Sequence, residues 1–143
     1  MSLQERLADI VGAANILTAP EDTKPYLTDW RRQYTAAAEC VVRPANTQEV
    51  SQVVALCARE NVAVVPQGGN TGLVGGSVPT GARREIVLAL GRMNRIRALD
   101  ALNDTATVEA GCVLAAVQEV ILEQTGHIFR HHRSGIAEGL PGA

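Results

Sequence analysis

The residues with the clearest chemical potential lie in one short loop, PQGGNTGLVGGSVP, from Pro66 to Pro79. Five of the chain's 13 glycines fall within nine residues of this loop. Glycine permits a positive φ and lets another group approach the backbone closely, and successive exposed amides form a concave site for an anion. The loop contains no lysine or arginine, so an anion would be bound mainly by backbone dipoles, with Asn70 and Thr71 as short side-chain donors. A diphosphate fits these properties, and a purely structural glycine turn is the alternative.

Spacing excludes two familiar phosphate-binding motifs from this loop. It lacks the Gly-Lys-Ser/Thr ending of a P-loop, and it lacks a Gly-x-Gly-x-x-Gly pattern followed by a helix. If the loop binds a diphosphate, it therefore does so with a different backbone arrangement.

Other reactive side chains give weaker signals. Three histidines lie near the C-terminus, and two of them are adjacent, which suits neither one face of a helix nor one face of a strand. We expect a solvated segment there, without a bound metal, at His127, His131 and His132. The carboxylates show no pairing pattern, so no catalytic residue is assigned. The three cysteines form neither a Cys-x-x-Cys motif nor a complete disulfide framework, which predicts reduced thiols in a cytoplasmic protein.

Length, charge and hydropathy narrow the class of protein. A chain of 143 residues fits one domain or a piece of a larger one. The net charge of -2 and the pI near 5.9 argue against a nucleic-acid partner. No signal-peptide pattern and no run of about 18 apolar residues is present, so no membrane span is expected.

The segment before the loop is predicted to hold the elements that position it. A leader helix should end near Gly12, and a polar tether with two prolines follows to about residue 35. A strand at ECVVRP precedes a helix, for which Asn46 and Glu49 form a plausible capping box, and VAVVP is predicted to be the next strand. A strand–helix–strand unit over residues 39–65 favours parallel pairing of its two strands. The loop then follows the carboxyl end of a buried strand, where open α/β sheets tend to bind ligands.

The segment after the loop is predicted to be mainly antiparallel. REIVLAL, NRIRALD and TATVEAG have the composition of strands, with a turn at Asn103-Asp104. Apolar residues at helical spacing predict a helix that stops at Gly126, and these residues are Val113, Val117, Val120 and Ile121. The whole is an α+β arrangement: a small parallel βαβ unit, then mainly antiparallel strands and a helix.

Several segments in the same order resemble one protein family. VVPQGGNTGLVGGSVP resembles the FAD diphosphate-binding loop of the FAD-linked oxidases related to vanillyl-alcohol oxidase and p-cresol methylhydroxylase. Within that family it is most similar to the group of D-2-hydroxyglutarate dehydrogenase, D-lactate dehydrogenase and the glycolate oxidase D-subunit. YLTDW and VVRPANTQEVSQVVALC upstream, and MNRIRALD and ATVEAGCVLAAVQ downstream, extend the similarity over about residues 26–129. The resemblance implies the first part of a p-cresol methylhydroxylase-type FAD-binding domain.

The resemblance also implies which residues meet the cofactor. The diphosphate would be held, chiefly through backbone amides, by Gln67, Gly68, Gly69, Asn70, Thr71 and Gly72. The flanking Pro66 and Leu73 are counted among the cofactor-binding residues. The chain would continue toward the flavin at Gly75, Gly76 and Ser77, and Gly111 would lie near the flavin. Relatives that attach FAD covalently through this loop carry a histidine where Asn70 stands, so FAD is expected to be bound non-covalently.

The implied activity is that of an FAD-dependent oxidoreductase acting on a small D-2-hydroxy acid. Residues 1–35 are predicted to be an N-terminal helix and tether, residues 36–129 a partial FAD-binding domain, and residues 130–143 an atypical tail. We expect this chain to be inactive by itself. The alternatives are a non-catalytic nucleotide-binding or assembly module that self-associates, or an inactive truncated fragment.

Overall fold

The computed structural model describes residues 1–125 of the chain. Its helices in this range are α1 (Leu3–Val11), α2 (Pro20–Leu27), α3 (Thr47–Arg59) and α4 (Leu114–Thr125), with a 3₁₀ turn at Ala13–Asn15. The strands are β1 (Ile16–Leu17), β2 (Val41–Val42), β3 (Ala63–Gln67), β4 (Glu85–Ala89), β5 (Ile96–Asp100) and β6 (Thr105–Val108). The strands form one mixed sheet and one antiparallel hairpin, which confirms the α+β class.

The mixed sheet has the strand order β1-β2-β4-β3. β4 is parallel to both of its neighbours, and Val87 is the register partner of Val41 on one side and Val65 on the other. β1 adds to the other side of β2 in the antiparallel direction. Helix α3 makes the crossover from β2 to β3, so the loop after β3 emerges at the carboxyl end of a parallel strand.

The pairing of β2 with β3 that the sequence favoured is not observed, because β4 lies between them. β4 belongs to the parallel sheet, and the antiparallel part of residues 85–108 is limited to β5 and β6. All five residues of β4 are buried, as suits a central strand with neighbours on both sides. β3 carries the exposed Pro66, whose missing N–H is tolerated at the edge of a sheet.

The main hydrophobic cluster joins α1, α3 and the sheet. α1 starts at a capping box formed by Ser2 and Glu5 and ends at Gly12, as predicted. It buries Leu7 and Val11 in the same cluster as six residues of α3, β2 and β4, namely Val53, Leu56, Cys57, Val42, Ile86 and Leu88. An ion pair between Arg6 and Glu60 joins α1 to the end of α3. The N-terminal helix therefore contributes to the core on which the loop is mounted.

Helix α2 occupies a segment for which the sequence analysis predicted only a polar connection. Pro20 stands in its first turn, where a helix needs no donor from that residue, and Glu21 and Asp22 favour the positive end of the helix dipole. Pro25 lies inside this short helix. The prolines suggested an irregular connection, yet one of them starts a helix.

The cysteines of the core are unreactive by environment. Cys40 and Cys57 are buried and free, and burial raises the pKa of the Cys40 thiol to about 12. A thiol with so high a pKa holds almost no thiolate near neutral pH, so it behaves as a small apolar side chain.

The last described elements are a hairpin and a helix. The turn between β5 and β6 includes Asp104 at φ 51°, and the Asp100 carboxylate accepts hydrogen bonds from the amides of Leu102 and Asn103, which confirms the predicted turn. α4 buries Val117 and Ile121. The predicted stop at Gly126 lies outside the described residues.

Candidate diphosphate-binding site

The glycine loop leaves its backbone donors unused. Within residues 1–125, none of the backbone amides of residues 68–77 donates a hydrogen bond to another protein atom. Most of this segment is exposed, namely Gly68, Gly69, Thr71, Gly72, Leu73, Val74 and Gly76. A set of free amides in one loop at the end of a parallel strand is the arrangement that an anion requires.

Gln67, the last residue of β3, directs its side chain inward. The side chain is buried, and its Nε2 donates to the carbonyl of Tyr26 at 2.9 Å and to the carbonyl of Ser77 at 2.7 Å. The backbone carbonyl of Gln67 accepts from the amide of Leu90 at 2.9 Å. Gln67 thus joins the start of the loop to its end.

Asn70 lies at the first bend of the loop, with φ 54°. Asparagine adopts this left-handed conformation more readily than most residues. Its Nδ2 donates to the carbonyl of Thr28 at 2.8 Å, and its Oδ1 accepts from the Ser77 hydroxyl at 2.8 Å. Asn70 therefore ties the loop both to the segment after α2 and to its own far end.

The loop glycines fall into two classes. Gly75 has φ 74°, and an added Cβ would lie 2.8 Å from Cδ2 of Tyr34, so this glycine is required by the fold. Among residues 1–125, nothing lies closer than 3.8 or 3.6 Å to a Cβ at Gly69 or Gly72, and nothing lies within 4 Å of one at Gly76. Packing within that range gives no reason for these three glycines, and space beside exposed amides is what an external ligand needs.

Gly111 packs against the backbone close to the start of the loop. An added Cβ would lie 1.9 Å from the carbonyl oxygen of Leu90, and the Gly111 amide donates to the carbonyl of Met93 at 2.8 Å. The neighbouring Ala110 carbonyl lies 3.4 Å from the place of a Cβ on Gly68. The structure thus gives Gly111 a packing role close to the start of the loop, and its expected proximity to flavin stays a prediction.

Two residues near the loop were missed by the sequence analysis. Tyr34, half exposed, packs its ring against Gly75. Asp29 is buried, and its carboxylate accepts from the amides of Gln33 and Tyr34 at 2.7 Å each and of Arg31 at 3.2 Å. The bond from the Tyr34 amide is the main reason that the pKa of Asp29 is lowered. In an Asx turn, the side chain of an Asp accepts from the backbone amide two residues on, as Asp29 does from Arg31. The tendency of Asp to form such turns could have identified this segment.

Glu109 is a third such residue, placed at the end of β6 beside Ala110. It is buried, and it accepts from the guanidinium groups of Arg95 and Arg97 at 3.0 Å each. The Arg95 side chain is the main cause, followed by the Arg95 amide, of a Glu109 pKa lowered to about 2. Sequence spacing gave no sign of this group because the hairpin brings its members together.

The part of the chain that carries the loop matches a known family. Residues 38–142 match the family model described as FAD binding domain. This chain belongs to that family. FAD is the cofactor that the family binds, and its diphosphate fits the free amides and open glycine positions of residues 68–77.

Curated relatives are much longer than this chain. A mitochondrial D-2-hydroxyglutarate dehydrogenase of Arabidopsis thaliana is 42% identical over 106 residues, which cover 74% of this chain and 19% of the relative. A putative mitochondrial D-lactate dehydrogenase of Schizosaccharomyces pombe is 40% identical over 112 residues, which cover 78% of this chain and 21% of the relative. The chain therefore spans about a fifth of the length of these relatives.

Two solved enzyme structures share the fold of this chain. Alkyldihydroxyacetonephosphate synthase superposes with a TM-score of 0.74 at 20% identity, covering 85% of this chain and 24% of the other. p-Cresol methylhydroxylase superposes with a TM-score of 0.69 at 22% identity, with the same two coverages. The predicted p-cresol methylhydroxylase-type architecture is confirmed, and at this identity the likeness concerns the fold alone.

The expectation of a cytoplasmic protein is wrong. The relatives from Arabidopsis thaliana, Schizosaccharomyces pombe and Bos taurus are named mitochondrial proteins, which points to mitochondria instead. The expectation rested on unpaired cysteines, but Cys40 and Cys57 are unpaired and buried in the core, so they report on packing and not on a compartment.

Two expected absences concern only residues 1–125. In that range no helix is long and apolar enough to cross a bilayer, and no group of three or more metal-ligating side chains is gathered. The histidines at positions 127, 131 and 132 lie outside the described residues.

Proposed function

We propose that this chain is the FAD-binding portion of a flavoprotein dehydrogenase that oxidises a D-2-hydroxy acid of the 2-hydroxyglutarate, lactate or glycolate class. The observation that carries the proposal is the run of free backbone amides at residues 68–77, in a chain of the FAD-binding domain family. Similarity to D-2-hydroxyglutarate and D-lactate dehydrogenases supports the substrate class. When bound, FAD accepts a hydride from the substrate carbon that bears the hydroxyl group.

The chain's own part in this activity is to bind and orient the cofactor. The amides of residues 68–72 are assigned to the diphosphate, and those of Gly75, Gly76 and Ser77 to the path toward the flavin. Gly111 is assigned a place near the flavin. No catalytic residue is assigned to this chain, and since it spans about a fifth of its relatives we expect it to show no dehydrogenase activity by itself.

The proposal includes a non-covalent flavin. Asn70 stands where histidine forms the flavin bond in covalent relatives, and an amide nitrogen lacks the nucleophilic lone pair that an imidazole offers. Denaturation of the FAD-loaded protein should therefore release all of the flavin into the supernatant after precipitation, as measured by absorbance. Flavin that stays with the denatured polypeptide would contradict a non-covalent site.

Substitution at Gly69 tests the diphosphate assignment. Gly69 lies outside the positive-φ region, and its place for a Cβ has 3.8 Å of clearance, so Gly69→Val should fold normally. The branched side chain would nevertheless stand among the exposed amides and obstruct the diphosphate. We expect FAD binding at least about tenfold weaker than in the wild type, measured by flavin fluorescence titration.

Gly91→Val is the matched control for this test. Gly91 is also exposed and also outside the positive-φ region, and no atom of the described residues lies within 4 Å of the place of its Cβ, but it lies beyond β4 and outside the loop. Its FAD affinity should equal that of the wild type. Equal FAD affinity in Gly69→Val and Gly91→Val would show that the loop does not bind the diphosphate.

A second candidate function, an assembly module, is favoured by exposed apolar side chains. They lie in the hairpin turn and in and beside α4, and they are Leu102, Val113, Leu114 and Leu122. We would then expect a colourless protein whose sedimentation coefficient rises with concentration and falls back in Leu122→Glu. A monomer that retains flavin would exclude this alternative.

A further inference from the structure

We infer that the side chains of Gln67, Asn70 and Ser77 form an internal clamp that orders the glycine loop and makes no contact with the cofactor. These three residues are called the loop clamp below. The inference rests on the proposed FAD-binding function. It gives the three side chains a positioning role and leaves the diphosphate to the backbone amides and the Thr71 hydroxyl.

Gln67 closes the loop at its base. Gln67 is 2% exposed, and its Nε2 donates to the carbonyl oxygens of Tyr26 and Ser77, with N···O distances of 2.9 and 2.7 Å. A primary amide has two hydrogens to donate. Both are used inside the protein, so the Gln67 side chain has no donor left for a phosphate oxygen.

Asn70 fixes the bend of the loop. Its φ of 54° turns the chain, while Nδ2 reaches the Thr28 carbonyl at 2.8 Å and lies 3.5 Å from the Pro25 carbonyl. Its Oδ1 accepts from the Ser77 hydroxyl at 2.8 Å. The polar atoms of Asn70 are thus held by groups on both sides of the loop, and the Ser77 hydroxyl donates its hydrogen to Asn70.

Two acceptors of the clamp, the carbonyls of Tyr26 and Thr28, are ones that a helix leaves unsatisfied. Tyr26 lies in the last turn of α2 and Thr28 is its C-cap, and carbonyls at this position have no partner within a helix. Tyr26 and Thr28 are half-buried, so loss of the clamp would leave their carbonyl oxygens without these donors, which is unfavourable. We therefore expect the side-chain amides of Gln67 and Asn70 to keep these hydrogen bonds when a ligand binds.

The clamp explains how a loop so rich in glycine can hold a fixed anion site. Glycine has the largest conformational freedom to lose, and an unrestrained loop of this composition would lose that freedom on binding. The clamp removes part of it beforehand, because it fixes positions 67 and 70 to the end of α2 and position 77 to positions 67 and 70. Preorganisation of this kind raises affinity without an added contact to the ligand.

Substitution of Asn70 tests the inference, because glycine keeps the positive φ while removing the side chain. In FAD-free Asn70→Gly we expect lower ¹⁵N order parameters for residues 71–76 than in the wild type. We also expect FAD affinity to fall about tenfold, as for the loss of two hydrogen bonds. Ser77→Ala removes one of these bonds and should show a smaller change in the same two measurements.

Asn61→Gly is the matched control. Asn61 has φ 53° at the end of α3, and within residues 1–125 its side chain makes no hydrogen bond, so the same replacement at the same backbone conformation removes no clamp. It should leave loop order and FAD affinity unchanged. Weaker FAD binding in Asn70→Gly with unchanged order parameters would overturn the inference, because the side chain would then contact the cofactor. A wild-type protein that does not bind FAD would instead contradict the proposed function. The order parameters of FAD-free wild type and Asn70→Gly would still test whether the clamp orders the loop.

Discussion

Three carboxylates are buried in the described part of the chain, and each is satisfied by donors. Asp29 and Glu85 are held by amides within five residues, and Glu109 by Arg95 and Arg97 across the hairpin. Burial acts to raise the pKa of Glu85, but hydrogen bonds from Gly81 and Thr80 outweigh it, so the net pKa is lowered. Such groups stabilise the folded state only while they are ionised.

Glu109 gives a pH-dependent prediction. Its pKa falls from 4.5 to about 2 on folding, so the ionised carboxylate stabilises the fold above about pH 4.5, and this contribution is lost as the pH falls toward 2. Glu109→Gln should therefore have a lower urea midpoint than the wild type at pH 7. The difference between the two should shrink as the pH falls below 4.5.

Glu119→Gln is the control for this series. Glu119 is exposed on α4 and forms no ion pair with any residue from 1 to 125. Its urea midpoint should follow that of the wild type at every pH. A difference between wild type and Glu109→Gln that stays constant from pH 7 to pH 3 would show that Glu109 acts by packing and not by charge.

At the scale of elements, the connection from β4 to β5 decides where the hairpin lies relative to the loop. The amide of Leu90 donates to the carbonyl of Gln67, and the carbonyl oxygen of Leu90 lies where a Cβ of Gly111 would stand. The end of β3, the residue after β4 and the segment after β6 thus contact one another through their backbones. Glycine at position 111 is what allows this approach.

Gly111→Ala should therefore destabilise the protein. The added methyl group would stand 1.9 Å from a backbone oxygen, which cannot move aside as a flexible side chain can. We expect the free energy of unfolding to fall by roughly 2–3 kcal/mol, as in overpacked cores, measured by urea denaturation. Gly91→Ala, in the same connection but with open space around it, should change stability by less than about 0.5 kcal/mol.

At the scale of the whole molecule, one sheet brings distant segments to the loop. β4 lies between β2 and β3, and α2 follows β1 on the far side of the sheet order, yet its last carbonyls meet Gln67 and Asn70. The loop is therefore supported by residues 26–35 before it and by residues 90–111 after it. Of these two supports, residues 90–111 lie within the family match, which covers residues 38–142, whereas residues 26–35 precede it.

Local features were predictable from the sequence. The cap at Asn46 is confirmed, since its side chain accepts from the Glu49 amide, although Glu49 completes the box through the Ala45 amide. The ends of α1 at Gly12 and of β5 in the turn before Asp104 are also confirmed. Each of these depends on residues within five positions, where backbone geometry and short side chains decide the outcome.

Long-range features were not predictable in the same way. Alternation and length identify a strand but do not say which strand lies beside it, so the insertion of β4 was missed. The partners of Gln67 and Asn70 lie 41 and 42 residues away in the sequence. The resemblance predicts that both residues lie at the cofactor, while the tertiary structure shows which protein groups their side chains contact.

The sequence by itself determined the glycine loop, its position after a buried strand and the FAD-binding family, because these depend on residue types in a fixed order. Tertiary structure alone decided which glycines are required by packing, as at positions 75 and 111, and which lie in open space, as at 69, 72 and 76. It also decided that Gln67 and Asn70 face α2. The physical reason is that steric clearance and hydrogen-bond partners are properties of neighbours in space, and the chain brings those neighbours together only when it folds.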